Sequence, residues 1–297
     1  MSDKVDKMSR FSNAIILIAG VMWGVIGLFV RELGKTGFSS VQISSLRWIV
    51  SAIIVLTVVL VKDATKLKIN IKDIWLFAFV GIFSSLAMST FYFMSMELTS
   101  VAVSDVLMYT SPIWVIIFSA VFLREHITFK KAACVVFAFI GCMFVCGLFE
   151  QDNGVFSPLG LLWGICSGIA YALYSIVGKI ILKRYDKMTL IVYNFIFAAL
   201  GALFIADIPG MAEIIVKNTY CLKNIIFLAI IGTVLPFMLY TVGLKNTSAS
   251  KAAILCCIEP VTAAFISVFI LKESISLIQI LGIGLIVFTI VLLQKQN

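Results

Sequence analysis

Residues 99–125 read TSVAVSDVLMYTSPIWVIIFSAVFLRE, and residues 247–273 read TSASKAAILCCIEPVTAAFISVFILKE. Laid over each other at a shift of 148, they pair Thr99-Ser100 with Thr247-Ser248, Leu107 with Leu255, Pro112 with Pro260, and Ser119 with Ser267. The same shift pairs Leu123 with Leu271 and Glu125 with Glu273, and it extends outward to Tyr92 with Tyr240 and Ile127 with Ile275. Self-similarity at one long period marks a duplicated structural unit. Nearer the N-terminus a shift of 140 lays Gly20, Trp23 and Gly24 on Gly160, Trp163 and Gly164, the eight-residue difference falling in a part of the second half that includes the 208–223 loop.

Both copies lie in apolar runs. The chain has 297 residues, 62% of them hydrophobic and 13% charged, with a mean hydropathy of +1.12, which cannot be arranged as a soluble globule with a wetted surface. A helix rising about 1.5 Å per residue needs roughly 20 apolar residues to cross a hydrocarbon core about 30 Å thick. Runs of that kind fall at about 11–30, 40–61, 74–96, 101–123, 129–148, 158–182, 187–207, 224–244, 248–271 and 275–294. The sequence therefore predicts an all-α integral membrane protein of ten transmembrane helices with short loops. The units are 11–148 (helices 1–5) and 158–294 (helices 6–10). Five crossings are an odd number, so the second unit enters the membrane from the opposite side and the repeats are inverted.

The net charge of +8 raises nucleic acid as a partner, but the placement of the charges excludes it. With the N-terminus in the cytoplasm, sixteen Lys and Arg fall in cytoplasmic segments and five in outer ones, leaving Arg47 and Lys179 within spans. This is the positive-inside pattern of a multi-pass protein of the cytoplasmic (inner or plasma) membrane with both termini cytoplasmic. The single His126 falls in a loop, so no His-based metal site or catalytic dyad is expected. No nucleophile-plus-base constellation and no phosphate-binding glycine loop is legible, which argues against an enzyme, a cofactor or an ATP-driven pump. Cys134, Cys142, Cys146, Cys166, Cys256 and Cys257 lie in apolar runs and read as packing residues, while Cys221 stands alone in a loop. The first apolar run is as long as a span, so it reads as a helix and not as a cleaved signal.

The Trp23-Gly24 pair, Arg47-Trp48, the stretch from Thr99 to Glu125 and its second copy from Tyr240 to Glu273 together resemble the EamA family of the drug/metabolite transporter superfamily, over essentially the whole chain. The resemblance implies a ten-helix carrier with a central cavity between the repeats that opens alternately to each side. Members are often exporters of amino acids or other small metabolites, and substrates vary widely.

Pro112 and Pro260 each sit several turns into a span, where a missing N–H and a ring clash loosen the helical ladder. Paired interruptions in corresponding helices point to a midplane site; the plainer alternative is a pair of packing kinks. Glu259, about eleven residues or 16 Å into span nine, must face a cavity, a partner or a proton, which makes it the leading candidate for proton coupling or for binding a cationic group. Its repeat mate is Ser111. Asp105, about one turn into span four, has Ala253 as its mate and either draws cations to the outer mouth or meets the helix dipole and interfacial water. Arg47 either neutralises one of these acids or snorkels outward, and Lys179 is expected to snorkel. Trp23, Tyr92, Tyr109, Trp163, Tyr171 and Tyr240 are the aromatic candidates for a substrate cavity, with Tyr174 and Tyr193 beside them. Glycines at 160, 164 and 168, and at 20 and 24, share helix faces and permit close helix contact.

The expectation is a secondary active transporter that exports amino acids or related compounds by alternating access, driven by protons or by the substrate's own gradient. Import of small organic cations such as amines, or lipid flipping, is the alternative. Two repeats in one chain form a complete pathway, so a monomer suffices, and a homodimer is compatible.

Overall fold

The computed structural model describes residues 2–149 and 157–294, which are helical with no strand among them. Ten helices follow the apolar runs: α1 Arg10–Gly34, α2 Ser40–Lys62, α3 Ile71–Leu98, α4 Val101–Phe122, α5 Phe129–Val145, α6 Pro158–Ile181, α7 Lys187–Ile205, α8 Cys221–Asn246, α9 Ala249–Phe269 and α10 Leu277–Gln294. Nine are long and apolar enough to cross a membrane by length and composition. The other, α5, has 17 residues and rises about 26 Å, at the short end of a spanning helix. Ten crossings return the chain to its starting side, so the start of α1 and the end of α10 share what is called here the termini face.

Short turns hold because side chains satisfy the free N–H groups at helix starts. Ser39 and Gln42 form a capping box at α2; Ser100 accepts from the Val103 N–H at α4, and its repeat mate Ser248 accepts from the Lys251 N–H at α9. The repeats interlock. The first helix of each packs on the third and fourth helices of the other, α1 on α8 and α9, and α6 on α3 and α4. The second helices pair as α2 with α7, and the fifth as α5 with α10.

Burying polar side chains in lipid is costly unless they bond across helices, and several do. Ser85 donates to Asn194 Oδ1 at 2.7 Å, Trp48 Nε1 to Ser89 at 3.2 Å, and Ser84 to the Ala170 carbonyl at 2.8 Å.

Helix packing corrects the repeat register of the first span. A β-carbon on Gly168 would meet Thr110 and the carbonyls of Leu107 and Met108; one on Gly20 would meet Ile258 and the carbonyl of Cys256. Those neighbours are themselves related by 148, so Gly20 corresponds to Gly168, and Trp23 to Tyr171. The Gly-Trp-Gly match at a shift of 140 is a coincidence of residue type, and no compensating insertion in the 208–223 segment is needed. That segment contains a short helix, Ile208–Lys217. Cys221, expected alone in a loop, begins α8 and is buried against Leu33, Phe38 and Met211.

Candidate functional site

Both prolines lie beside breaks in their helices. α4 breaks at Tyr109–Thr110, and Pro112 opens its second half; α9 breaks at Cys257, and Pro260 lies in the first turn of its second half. Three further interruptions had no sequence signal of this strength: a turn at Val25 in α1, and π-helical turns at Phe79–Leu86 in α3 and Ile230–Val234 in α8. Wide turns of this kind recur at functional sites. The α8 turn packs against α1 and α2, while the irregular stretches of α3, α4 and α9 border one space through Ser84, Ser85, Tyr109 and Glu259.

Between them lies a cavity of about 660 Å³. At its deep end it is lined by Trp23, Tyr109, Tyr171 and Glu259, on its flanks by Arg47, Tyr92 and Asp105, and at its mouth by Arg31, Ser40 and Glu273. The mouth residues all belong to the face opposite the termini, so the cavity opens there. Beneath its floor, toward the termini, the path narrows to a void of about 10 Å³ lined by Tyr109, Ser111, Pro112, Tyr171, Tyr240, Cys256, Cys257 and Glu259. That is room for about one water.

Three of the cavity's ionisable groups come from different helices. Asp105 on α4 accepts from the Tyr92 hydroxyl on α3 at 2.8 Å. Glu259 on α9 accepts from the Tyr171 hydroxyl on α6 at 3.4 Å, a long bond that leaves most of the carboxylate open. Arg47 on α2 stands with its guanidinium carbon 4.7 Å from the centre of the Trp48 ring, and its buried Nε has no hydrogen-bond partner. It lines the cavity wall instead of snorkelling, and among the described residues it forms no salt bridge with Asp105 or Glu259. A guanidinium and two carboxylates thus share one chamber with no salt bridge between them among the described residues, and its walls are aromatic: the Trp23 ring meets Tyr171 edge-on at 6.1 Å and Phe237 at 5.3 Å.

Trp23, Tyr92, Tyr109, Tyr171, Glu259, Asp105 and Arg47 therefore converge on the cavity. Trp163 does not: it stacks on Phe91 at 5.0 Å, outside the cavity wall. Tyr240 reaches only the small void, where its hydroxyl bonds Ser175 at 2.6 Å. Tyr174 lines the cavity, while Tyr193 donates to the Leu67 carbonyl near the termini face. Lys179, expected to snorkel, turns instead to the carbonyl end of α8 and donates to Leu244 at 2.6 Å and Thr247 at 2.5 Å.

The chain matches the EamA-like transporter family over residues 10–147 and 158–294. It is 24% identical to an uncharacterized transporter of Archaeoglobus fulgidus, over 97% of each chain. It is 25% identical to the uncharacterized inner membrane transporter YicL of Salmonella typhimurium, over 95% of this chain and 94% of that one. A solved crystal structure of a protein 18% identical in sequence superposes with a TM-score of 0.76 over 95% of both chains, a likeness of fold.

Proposed function

The chain belongs to the EamA-like transporter family, and from that membership we propose that it is a secondary carrier for amino acids and related zwitterions, exchanging them for protons in the direction of export. One observation carries this reading: an unpaired guanidinium, Arg47, faces the same aromatic chamber as the carboxylates Glu259 and Asp105. A ligand bearing both a carboxylate and an ammonium would satisfy both signs. Arg47 suits the carboxylate because its planar fork can donate two parallel bonds. Glu259, with Trp23 and Tyr171 beside it, suits the ammonium through charge and ring faces.

The positive-inside pattern puts the termini face in the cytoplasm, so the open mouth at Arg31 and Glu273 faces outside. In that state a proton from the outer medium reaches Glu259 as the substrate ammonium leaves it. After the cavity reopens to the cytoplasm the proton departs and the next ammonium takes its place. One proton enters for each substrate exported, and the single carboxylate never holds both.

A second reading, transport of organic cations, is favoured by the excess of three acids, Asp105, Glu259 and Glu273, over two bases, Arg31 and Arg47, in the cavity lining. Proteoliposome flux decides between them. With an acid exterior, efflux of labelled amino acid is accelerated by the wild type and lost in both Glu259→Gln and Arg47→Gln. Flux of amines alone, indifferent to Arg47→Gln, would establish the cation reading instead, and amino-acid flux indifferent to the pH gradient would overturn proton exchange.

A further inference from the structure

The linkers that follow α4 and α9 are built alike. Arg124 and Lys272, repeat mates, are the non-glycine residues with positive φ, at 55° and 61°, among the described residues. The next N–H groups, of Glu125 and Glu273, donate to the mate carbonyls of Ser119 and Ser267 at 3.1 and 3.0 Å. Two turns of one shape thus present two glutamates. Their side chains, however, do different things.

On the termini face Glu125 reaches across to the other repeat. It accepts from the Ala249 N–H at 2.8 Å and from the Ser250 hydroxyl at 2.7 Å, clasping the start of α9. Beside it Lys179 clasps the carbonyl end of α8. On the opposite face the mates are Glu273 and Arg31, and neither reaches the corresponding ends of α4 and α3. Glu273 instead accepts from Ser267 in its own repeat and pairs with Arg31 at 2.8 Å, at the mouth of the cavity. The closed face has both clasps made, and the open face has both undone, with the two clasping residues bonded to each other.

We propose that these four residues form two exchangeable locks that set which side of the carrier is open. In the state that opens to the termini face, Glu273 leaves Ser267 and accepts from the Val101 N–H, the mate of Ala249. Arg31 takes the carbonyl end of α3 at Met96 and Thr99, mates of Leu244 and Thr247. Glu125 falls back onto Ser119 and pairs with Lys179. The exposed resting pairs contribute little, so the lock bonds, which close on helix ends, set the sign of each perturbation. The locks are also unequal. The mate of Ser250 is Ala102, which has no hydroxyl, so the lock on the open side has one bond fewer and the protein rests as seen, open away from its termini.

The inference rests on the carrier reading but needs no substrate to test. Cys256 and Cys257 line the closed void and are 6% and 2% exposed, so their alkylation reports opening of the termini side. Cys134, fully buried in α5, reports general unfolding. Purified protein in detergent is treated with N-ethylmaleimide and the peptides are quantified by mass, relative to Cys134. Glu125→Ala is expected to speed modification of Cys256 and Cys257 roughly tenfold, the scale of one charge-assisted bond. Ala102→Ser, which restores the missing hydroxyl, also speeds it, and Glu273→Ala slows it below wild type. Acceleration by Glu273→Ala, or no acceleration by either of the other two, would overturn the exchange of locks while leaving the substrate proposal standing. If Glu125→Ala merely unfolds the protein, Cys134 rises with the others and the remaining pair of variants decides.

Discussion

Gly168 of α6 lies against the carbonyl of Met108 in α4, the carbonyl four residues before Pro112 and so the one whose helical donor that proline removes. A β-carbon at Gly168 would stand 3.3 Å from that oxygen, 2.8 Å from the Leu107 carbonyl and 2.5 Å from the Thr110 hydroxyl. The same relation joins Gly20 to Cys256, four residues before Pro260. The glycine lets a neighbouring backbone approach a helix just where its own ladder is open. At Gly20 the one close atom belongs to a side chain, Cγ2 of the β-branched Ile258 at 2.6 Å, and the nearest backbone atoms, of Cys256, stand at an ordinary 3.4 Å. Gly168→Ala should therefore cost about 1–3 kcal/mol of stability, and Gly20→Ala clearly less. Comparison of the two unfolding midpoints in one detergent checks it.

Lys179 holds the carbonyl end of α8 by two short bonds that its hydrocarbon stem cannot replace. Lys179→Met should lower stability by about 1–3 kcal/mol, the cost of leaving buried carbonyls unmet. Lys179→Arg should recover part of it. Equal stability of Met and Arg variants would show that the charge merely snorkels into water.

Tyr92 and Asp105 form the only hydrogen bond described for either side chain, at 2.8 Å. Tyr92→Phe should leave the fold intact at a cost of about 1 kcal/mol and free Asp105 toward the cavity. Binding of an amine-bearing ligand is expected to change in this variant, while a control Tyr193→Phe, whose hydroxyl meets the Leu67 carbonyl far from the cavity, leaves it unchanged.

Glu273 lies outside the spans, and its carboxyl is held below the ordinary glutamate value by the Ser267 hydroxyl and then by Arg31. A depressed carboxylate keeps its contacts above the unfolded value and loses them as pH falls through the folded one. The Arg31–Glu273 pair should thus be intact at neutral pH and break only in acid below the usual glutamate range. Arg31→Gln should move that titration upward. A pH titration of the labelled Glu273 carboxyl carbon measures both.

The spans and the inversion were legible because hydropathy and an odd number of crossings depend only on local composition. The α4 and α9 breaks were legible because proline carries its own mechanism. The register of the first span was not, because Gly20 and Gly168 are defined by what they touch in the other repeat, which no local match reveals. Trp163 misled for a similar reason: an aromatic residue in a cavity-lining helix can as well stack outward, as it does on Phe91. The convergence of Arg47, Asp105 and Glu259 was anticipated only in part, since their separation within one chamber depends on how α2, α4 and α9 pack. The roles of Glu125 and Glu273 had a signal, their pairing at 148, but their unlike partners appear only in three dimensions.

The central claim is that Arg47 and Glu259 read opposite ends of one ligand. The most direct measurement is the thermal stabilisation of purified protein by an amino acid, by its decarboxylated amine and by its deaminated acid, with wild type, Arg47→Gln and Glu259→Gln, since a ligand that binds only the folded state raises its apparent stability. The account predicts stabilisation of the wild type by the amino acid above either half, lost in both variants. Equal stabilisation of wild type and Arg47→Gln by the amino acid, or by the amine alone, would contradict it.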